Sequence, residues 1–329
     1  MSGPSADRCP LCAARALAPT DRHLDYPSGG SRSFALACSF CGLLLAEGAE
    51  PEAVRLALSA VLEGRSFTSG ETAPFGLDIY TLRIAATSRR RGVEPADAVQ
   101  AQALRQPHSN LAAAADLFDL RPAEPLVSLG ILCRRDELAR VLSSLPAHAA
   151  WTDDVAILLD DTPLVPDALT VAGFPDRAVR LAARPLGGDF AGQRNALQAL
   201  SRQGWMLQLD ADETLAPQTG ALLGALVRQA ERQGLRSIGL PRRNLVDGVL
   251  SDLHPDTQYR LNHRGIRYVG CVHERPDRPW QDSSIALHGA IDHHLGRAHV
   301  DARSHRYEAM APGGGRLEEA RLLLTPYRR

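Results

Sequence analysis

The residues best able to do chemistry are Asp210, Asp212 and Glu213, three acids that close the apolar run Trp205-Met206-Leu207-Gln208-Leu209. Such a run fits a buried strand, which leaves the acids at its carboxyl end. Hard divalent cations such as Mg²⁺ take oxygen ligands, commonly one or two carboxylates plus substrate phosphates. In open α/β sheets that edge is where ligands bind. The arrangement predicts a metal-bound phosphate ester, most simply a nucleotide. Asp210-Ala211-Asp212 is the one Asp-x-Asp in the chain. Alone, such a tripeptide can equally be a solvated turn; its surroundings give it weight.

A second constellation is Cys9-Pro10-Leu11-Cys12 with Cys38-Ser39-Phe40-Cys41. A Cys-x-x-Cys turn presents two thiolates to one tetrahedral centre, and two turns complete a set that suits structural Zn²⁺. Gly42 follows the second pair, as a tight turn prefers. Iron in a rubredoxin-like set, or redox dithiols, are the alternatives. Zn²⁺ on Cys9, Cys12, Cys38 and Cys41 would fold a module too small to fold alone. That module could receive a protein partner; its few arginines and aromatics argue against nucleic acid. Cys133 and Cys271 stand in apolar surroundings and are expected to be buried.

The chain has 329 residues, room for two or three domains, with 44% hydrophobic and 23% charged residues and a formal charge of −1. No global field draws it to nucleic acid or membrane. No apolar run reaches the length of a bilayer span, so no transmembrane segment is expected. The first residues lack the apolar core of a signal peptide, and the cytoplasm is the expected location. There is no lysine; all 37 basic residues are arginine. Schiff-base chemistry and a P-loop lysine are thereby excluded.

Residues 1–48 hold the cysteine pairs. Residues 49–123 read as a helical segment rich in Ala, Leu and Arg, with helices opening at Pro51, Pro95 and Ser109-Asn110. Arg121-Pro122-Ala123-Glu124-Pro125 is a stiff break. After it, strands at Leu126–Leu132, Val155–Leu159, Arg177–Ala182, Trp205–Leu209 and Ser237–Leu240 alternate with helices at Asp136–Leu145, Phe190–Arg202 and Pro217–Gln233. This alternation predicts an α/β fold with a mostly parallel, Rossmann-like sheet. Gln258–Leu261 and Ile266–Val272 read as further, antiparallel strands, and 301–329 as a helical tail.

Four segments in order carry a resemblance: Val127–Leu132, Ile157-Leu158-Leu159-Asp160-Asp161, Asp189-Phe190-Ala191-Gly192-Gln193-Arg194-Asn195 and Leu209-Asp210-Ala211-Asp212-Glu213. Together with Pro241-Arg242-Arg243-Asn244, Pro255–Leu261 and Gly270-Cys271-Val272-His273-Glu274, they resemble the family 2 glycosyltransferases of the GT-A fold. The branch they look most like contains lipopolysaccharide-core glucosyltransferases. The likeness covers about residues 124–300. It implies that Asp161, with Asp160, faces the nucleobase and that Arg194 lies near the nucleotide. It implies that Asp210 and Asp212 bind Mn²⁺ or Mg²⁺ and the diphosphate. His273 would be a late metal ligand, and Glu274 would line the acceptor side. The first strand ends Cys133-Arg134-Arg135 instead of the family's Pro-Thr-Tyr-Asn, and Asp160-Asp161-Thr162-Pro163 replaces its Asp-Asp-Gly-Ser.

Glycosyl transfer needs a leaving diphosphate neutralised, an acceptor hydroxyl deprotonated and the sugar aligned. Glu274 is the first candidate base, ahead of Asp256 and Asp252. Glu274 could equally be a surface acid paired with Arg275 or Arg278. His293-His294 is the next metal-ligand candidate after His273. Arg242 and Arg243 could clamp phosphate or merely solvate a strand end. The expected activity is a metal-dependent, inverting transfer from a nucleotide-sugar donor to a glycan, a lipid-linked glycan or a protein. Two other readings compete. A nucleotidyltransferase would need a Gly-rich first loop, which Cys133-Arg134-Arg135-Asp136 does not supply. A zinc-bearing binding module with an inactive transferase domain is the non-enzymatic reading.

Overall fold

The computed structural model describes residues 8–124, 126–270, 273–310 and 317–328. Cys271, Val272 and the Gly313-Gly314-Gly315 run lie outside them. The chain divides into two compact units, one of residues 1–121, 284–288 and 328–329, the other of 122–283 and 289–327.

In the first unit, a four-stranded sheet runs Leu17–Pro19, Leu36–Cys38, Leu44–Leu45, Phe75–Gly76. The cysteine turns sit beside it. Helices α1 (Pro51–Leu62), α2 (Ile79–Thr87) and α3 (Ala98–Ala103) follow. Asp78 and Asp97 cap α2 and α3, accepting N–H bonds from Thr81 and Gln100. The expected helix from Ser109 is absent. Ala114–Asp119 is instead the central strand of a three-stranded sheet with Ser66–Thr68 and Arg91–Pro95. Ala115 and Leu117 are buried while Asp116 is exposed, so a period of two prevails over the helical propensity of the alanines. The segment 49–123 is therefore mixed rather than helical, and it shares one unit with the cysteine turns.

The second unit is built on one large mixed sheet. The nine strands along its main path are β1 (Val127–Arg134), β2 (Val155–Asp160), β3 (Leu164–Leu169), β4 (Val179–Ala183), β5 (Trp205–Asp210), β6 (Glu213–Leu215), β7 (Ser237–Val246), β8 (Asp256–His263) and β9 (Ile291–Leu295). Their spatial order is β3-β4-β2-β1-β5-β8-β7-β9-β6. The core β4-β2-β1-β5 is parallel. Antiparallel β3 extends one side and antiparallel β8 the other. This is the α/β class expected. Helices α4 (Leu138–Ser144), α5 (Phe190–Ala199) and α6 (Pro217–Arg232) connect the strands, and α7 (Arg297–Met310) and α8 (Leu317–Leu324) follow β9. No helix among the described residues is long and apolar enough to cross a membrane.

Two features place the site. The chain builds β1, β2 and β4 outward, then returns to lay β5 on the other flank of β1. The strand order reverses between β1 and β5, and crevices form outside the carboxyl ends of strands at such a point. Leu132 pairs with Asp210 there. The second feature is Gly130 in β1. A Cβ at this position would lie 2.7 Å from Met206 Sδ and 3.0 Å from Leu197, so only glycine lets α5 press this closely on the sheet. Residues 267–269 pair antiparallel with 275–277 in a separate two-stranded sheet, whereas the expected strand is 266–272, whose last two residues lie outside those described.

Candidate functional site

Asp210 ends β5 and Glu213 opens β6, with a two-residue turn between them. Glu213 is the hub. Its side chain is 0% exposed and accepts from the Asp210 N–H (3.0 Å) and from Arg242 Nη1 (3.0 Å), with Arg260 Nη1 at 3.5 Å. Asp210 in turn receives Arg194 Nη2 at 2.7 and 3.0 Å and both Arg260 terminal nitrogens at 3.1 Å. Arg194 Nε donates to Glu274 (2.8 Å). Arg242 also donates to Asp256, as does Asn244. Acid and guanidinium thus alternate from Glu274 through Arg194, Asp210, Arg260, Glu213 and Arg242 to Asp256. Buried charges persist only when paired like this.

Burial works to raise the Asp210 carboxyl, but Arg194 and Arg260 outweigh it and hold the group well below the usual carboxylate range. Asp256 is held low against burial by Arg242, and Glu274 by Arg194 and Arg260. Burial likewise opposes ionisation of Asp212, and the hydrogen bond with His293 reverses the balance.

Asp212 Oδ2 lies 3.3 Å from His293 Nε2. The register explains the meeting, because β6 pairs with β9 with Glu213 opposite His293, and β7 pairs with β9 with Asn244 opposite the same residue. Asn244 Nδ2 donates to Asp256, so its Oδ1 is the acceptor 2.7 Å from His293 Nδ1. Nδ1 therefore faces Asn244, and Nε2 is the ring atom that faces Asp212. A histidine fixed by an outer hydrogen bond through its other nitrogen is the arrangement metal ligands commonly have.

The same contacts show where each expected site residue lies. His293, not His273, is the histidine against Asp212. His273 has a left-handed backbone (φ 54°). Among the described residues, the four cysteines are the group of three or more candidate ligands whose donor atoms already lie together. Asp210 serves as counter-ion to two arginines. Asp256 accepts Arg242 and Asn244 on one oxygen and Gln258 on the other, which leaves it poorly placed to take a proton. Asp252 donates its N–H to the Thr325 carbonyl and is buried. Glu274 pairs with Arg194, not with Arg275 or Arg278. Asp160 and Asp161 end β2 away from this chain, the first accepting the Leu186 N–H (2.8 Å), the second paired with Arg135. Arg243 pairs with Asp292, and His294 Nε2 meets Thr214 Oγ1 at 3.0 Å.

The sequence gives Arg260 and Asn244 no role, and it marks Glu213 only as one of three acids at a strand end, not as the buried acceptor of two arginines. The available signal was alternation. Asp256, Gln258, Arg260 and Asn262 occupy every second position of β8, which gives a strand inside the sheet one polar face.

The five carboxylates Asp210, Asp212, Glu213, Asp256 and Glu274 face three guanidiniums, Arg194, Arg242 and Arg260. The acids outnumber the guanidiniums by two, and His293 is the further basic side chain beside them. Arg194 offers the opposite handle. Its side chain is 4% exposed, and Nη1 is buried with no hydrogen-bond partner. A buried guanidinium N–H left unbonded is costly and is a ready donor to an anionic oxygen.

The four cysteines are buried in the first unit. Cys9 and Cys41 Sγ lie 3.6 Å apart, Cys12 and Cys38 Sγ 3.7 Å. A tetrahedral ion with Zn–S bonds of about 2.3 Å needs neighbouring sulfurs about 3.8 Å apart. The donor set and spacing fit a structural zinc site. Thiol donors from Cys12, Cys41 and Cys9 pull the Cys38 thiol far down. A hydrogen bond with Cys38 pushes Cys12 up, and burial pushes Cys41 up. Cys133 is buried as expected, and burial pushes its thiol up to about 12.

No protein-family model matches the chain, and no curated protein matches it. Among solved structures, it is similar to S. aureus TarS, with 9% identity, a TM-score of 0.32, and coverage of 55% of this chain and 39% of that one. Against residues 1–349 of TarS in complex with UDP-GlcNAc, the identity is 10% and the TM-score 0.33, over 52% of this chain and 58% of that chain. The chain therefore covers less than two thirds of either. Scores this low leave function to be argued from this chain's own residues.

Proposed function

We propose that the second unit is a glycosyltransferase domain that takes a nucleotide-diphosphate sugar in the crevice between β1 and β5. The observation that carries this reading is the contact of Asp212 with His293, beside an acid-rich network, together with the unbonded, buried Nη1 of Arg194. A cation and a phosphate oxygen are the ligands this combination suits together. A divalent cation on Asp212 and His293 would neutralise charge on a leaving diphosphate. Arg194 Nη1 would donate to a diphosphate oxygen, with Asp210 and Glu274 holding the rest of the guanidinium. Arg260 orients Asp210 and keeps it ionised. Glu274 remains the candidate base, a carboxylate kept ionised beside Arg194 and placed to accept the acceptor hydroxyl's proton. Asp160 and Asp161, at the carboxyl end of β2, stay candidates for the nucleoside. The first unit holds structural Zn²⁺ on Cys9, Cys12, Cys38 and Cys41 and presents a surface for an acceptor or a protein partner.

The test is donor hydrolysis. The full chain is incubated with a panel of nucleotide sugars, with and without Mn²⁺, and released nucleoside diphosphate is measured. Metal-dependent release from one donor, lost in Arg194→Ala, supports the proposal. No release from any donor, and no thermal stabilisation by any nucleoside diphosphate, would contradict it.

A further inference from the structure

The two cysteine turns of the first unit are built alike. In each, the residue after the second cysteine has a left-handed backbone, Ala13 at φ 63° and Gly42 at φ 89°. In each, its N–H donates to the carbonyl of the first cysteine at 2.9 Å, Ala13 to Cys9 and Gly42 to Cys38. In each, its own carbonyl accepts from an arginine, Arg8 Nη1 on Ala13 at 2.9 Å and Arg22 Nη1 on Gly42 at 3.2 Å. Glycine is required at the second turn for more than φ, since a Cβ on Gly42 would lie 2.3 Å from Thr81 Oγ1. The second turn is therefore pressed against the start of α2.

Arg8 reaches its turn from the neighbouring position in sequence, but Arg22 comes from elsewhere and is held from behind. Its Nη2 lies 3.4 Å from Asp78 Oδ2, and the Asp78 side chain is 0% exposed. Asp78 caps α2 through the Thr81 N–H at 2.7 Å. One chain of contacts runs from the Cys38–Cys41 turn through Arg22 and Asp78 to the first turn of α2. A tetrathiolate with a divalent ion carries two negative charges, and a guanidinium docked on the turn carbonyl opposes them while fixing the turn.

We propose that Arg22 is the outer clamp of the four-cysteine metal site and that, through Asp78, it makes metal occupancy and the order of α2 a single equilibrium. This rests on the reading of Cys9, Cys12, Cys38 and Cys41 as metal ligands. Arg22 touches the turn carbonyl and not the thiolates, so it is a positioning residue.

The test uses the full chain loaded with Zn²⁺ and titrated against a competing chromophoric chelator. Wild type is compared with Arg22→Ala, Arg22→Lys, Asp78→Asn and the exposed control Arg55→Ala. Amide hydrogen exchange is followed at Thr81 and Leu82 before and after metal removal. Outer partners of metal ligands are commonly worth about 10–100-fold in affinity. Arg22→Ala is expected to weaken zinc binding at least about tenfold. Arg22→Lys keeps the charge but cannot bridge the carbonyl and Asp78 with a fork, so it falls on the same side, while Arg55→Ala matches wild type. Stripping the metal is expected to deprotect the first amides of α2. If wild type binds zinc and the Arg22 and Asp78 variants bind it equally well, the clamp is overturned while the metal site stands. Unchanged α2 protection after stripping overturns the coupling. If wild type binds no zinc at all, the metal reading falls and the clamp with it.

Discussion

His293 and Asp212 face each other across 3.3 Å because β6 and β9 pair with Glu213 opposite His293. Asn244, in β7, holds the far side of the same ring. The arrangement predicts a cation pair whose strength depends on a residue that does not touch the ion. His293→Ala and Asn244→Ala should each weaken Mn²⁺ binding by about 10–100-fold. Manganese titration by electron paramagnetic resonance reads this directly. Equal affinity in wild type and His293→Ala would move the cation elsewhere.

Glu213 is enclosed and accepts from Asp210, Arg242 and Arg260. Removing one partner of a buried charge network strands the others, at a cost of about 3–5 kcal/mol. Glu213→Ala should lose about that much in chemical denaturation of the second unit. The exposed pair of Arg134 with Asp136 should contribute less than about 1 kcal/mol when Asp136 is replaced by alanine. Comparable losses for the two variants would show that Glu213 is not the hub.

The acids of this network set the response to pH. Burial opposes ionisation of Asp210, Asp256 and Glu274, yet neighbouring arginines hold all three below their ordinary values. A depressed folded value means that the unfolded chain binds more protons in acid. The stabilisation is therefore complete above the ordinary carboxylate range of about 4 and disappears as pH falls through the folded values. Tm should be nearly level from about pH 5 to 8 and drop steeply below it. Asp210→Asn, although less stable, should show a shallower acid slope. The same slope in both proteins would contradict the assignment.

Cys38→Ser should lose one stoichiometric zinc and destabilise the first unit. Elemental analysis of purified protein, with thermal unfolding, checks both. Unchanged metal content would remove the four-cysteine assignment.

The alternation of strands and helices after residue 124 was legible because buried parallel strands read as continuous apolar runs, as Val155–Leu159 and Trp205–Leu209 do. The cysteine site was legible because ligand spacing is local. The strand over Ala114–Asp119 was not, since alanine-rich helix and half-buried strand share a composition and only its pairing with Arg91–Pro95 decides between them. The acids at the end of β5 were visible, but their division of labour was not. Asp210 and Asp212 look equivalent in sequence, and only the arrival of Arg194 and Arg260 on one, and of His293 on the other, separates them. Those partners lie 16, 50 and 81 positions away by residue number. They are brought in by strand register, which no local pattern records.

The central claim is that Asp212, His293 and Arg194 together hold a cation and a nucleoside diphosphate. Isothermal titration of the full chain with UDP and GDP, each with and without Mn²⁺, tests it most directly. The account predicts manganese-dependent binding of one of them to wild type, and at least about tenfold weaker binding in His293→Ala and in Arg194→Ala. Binding that is independent of manganese and untouched by both substitutions, or no binding of either nucleotide, would contradict it.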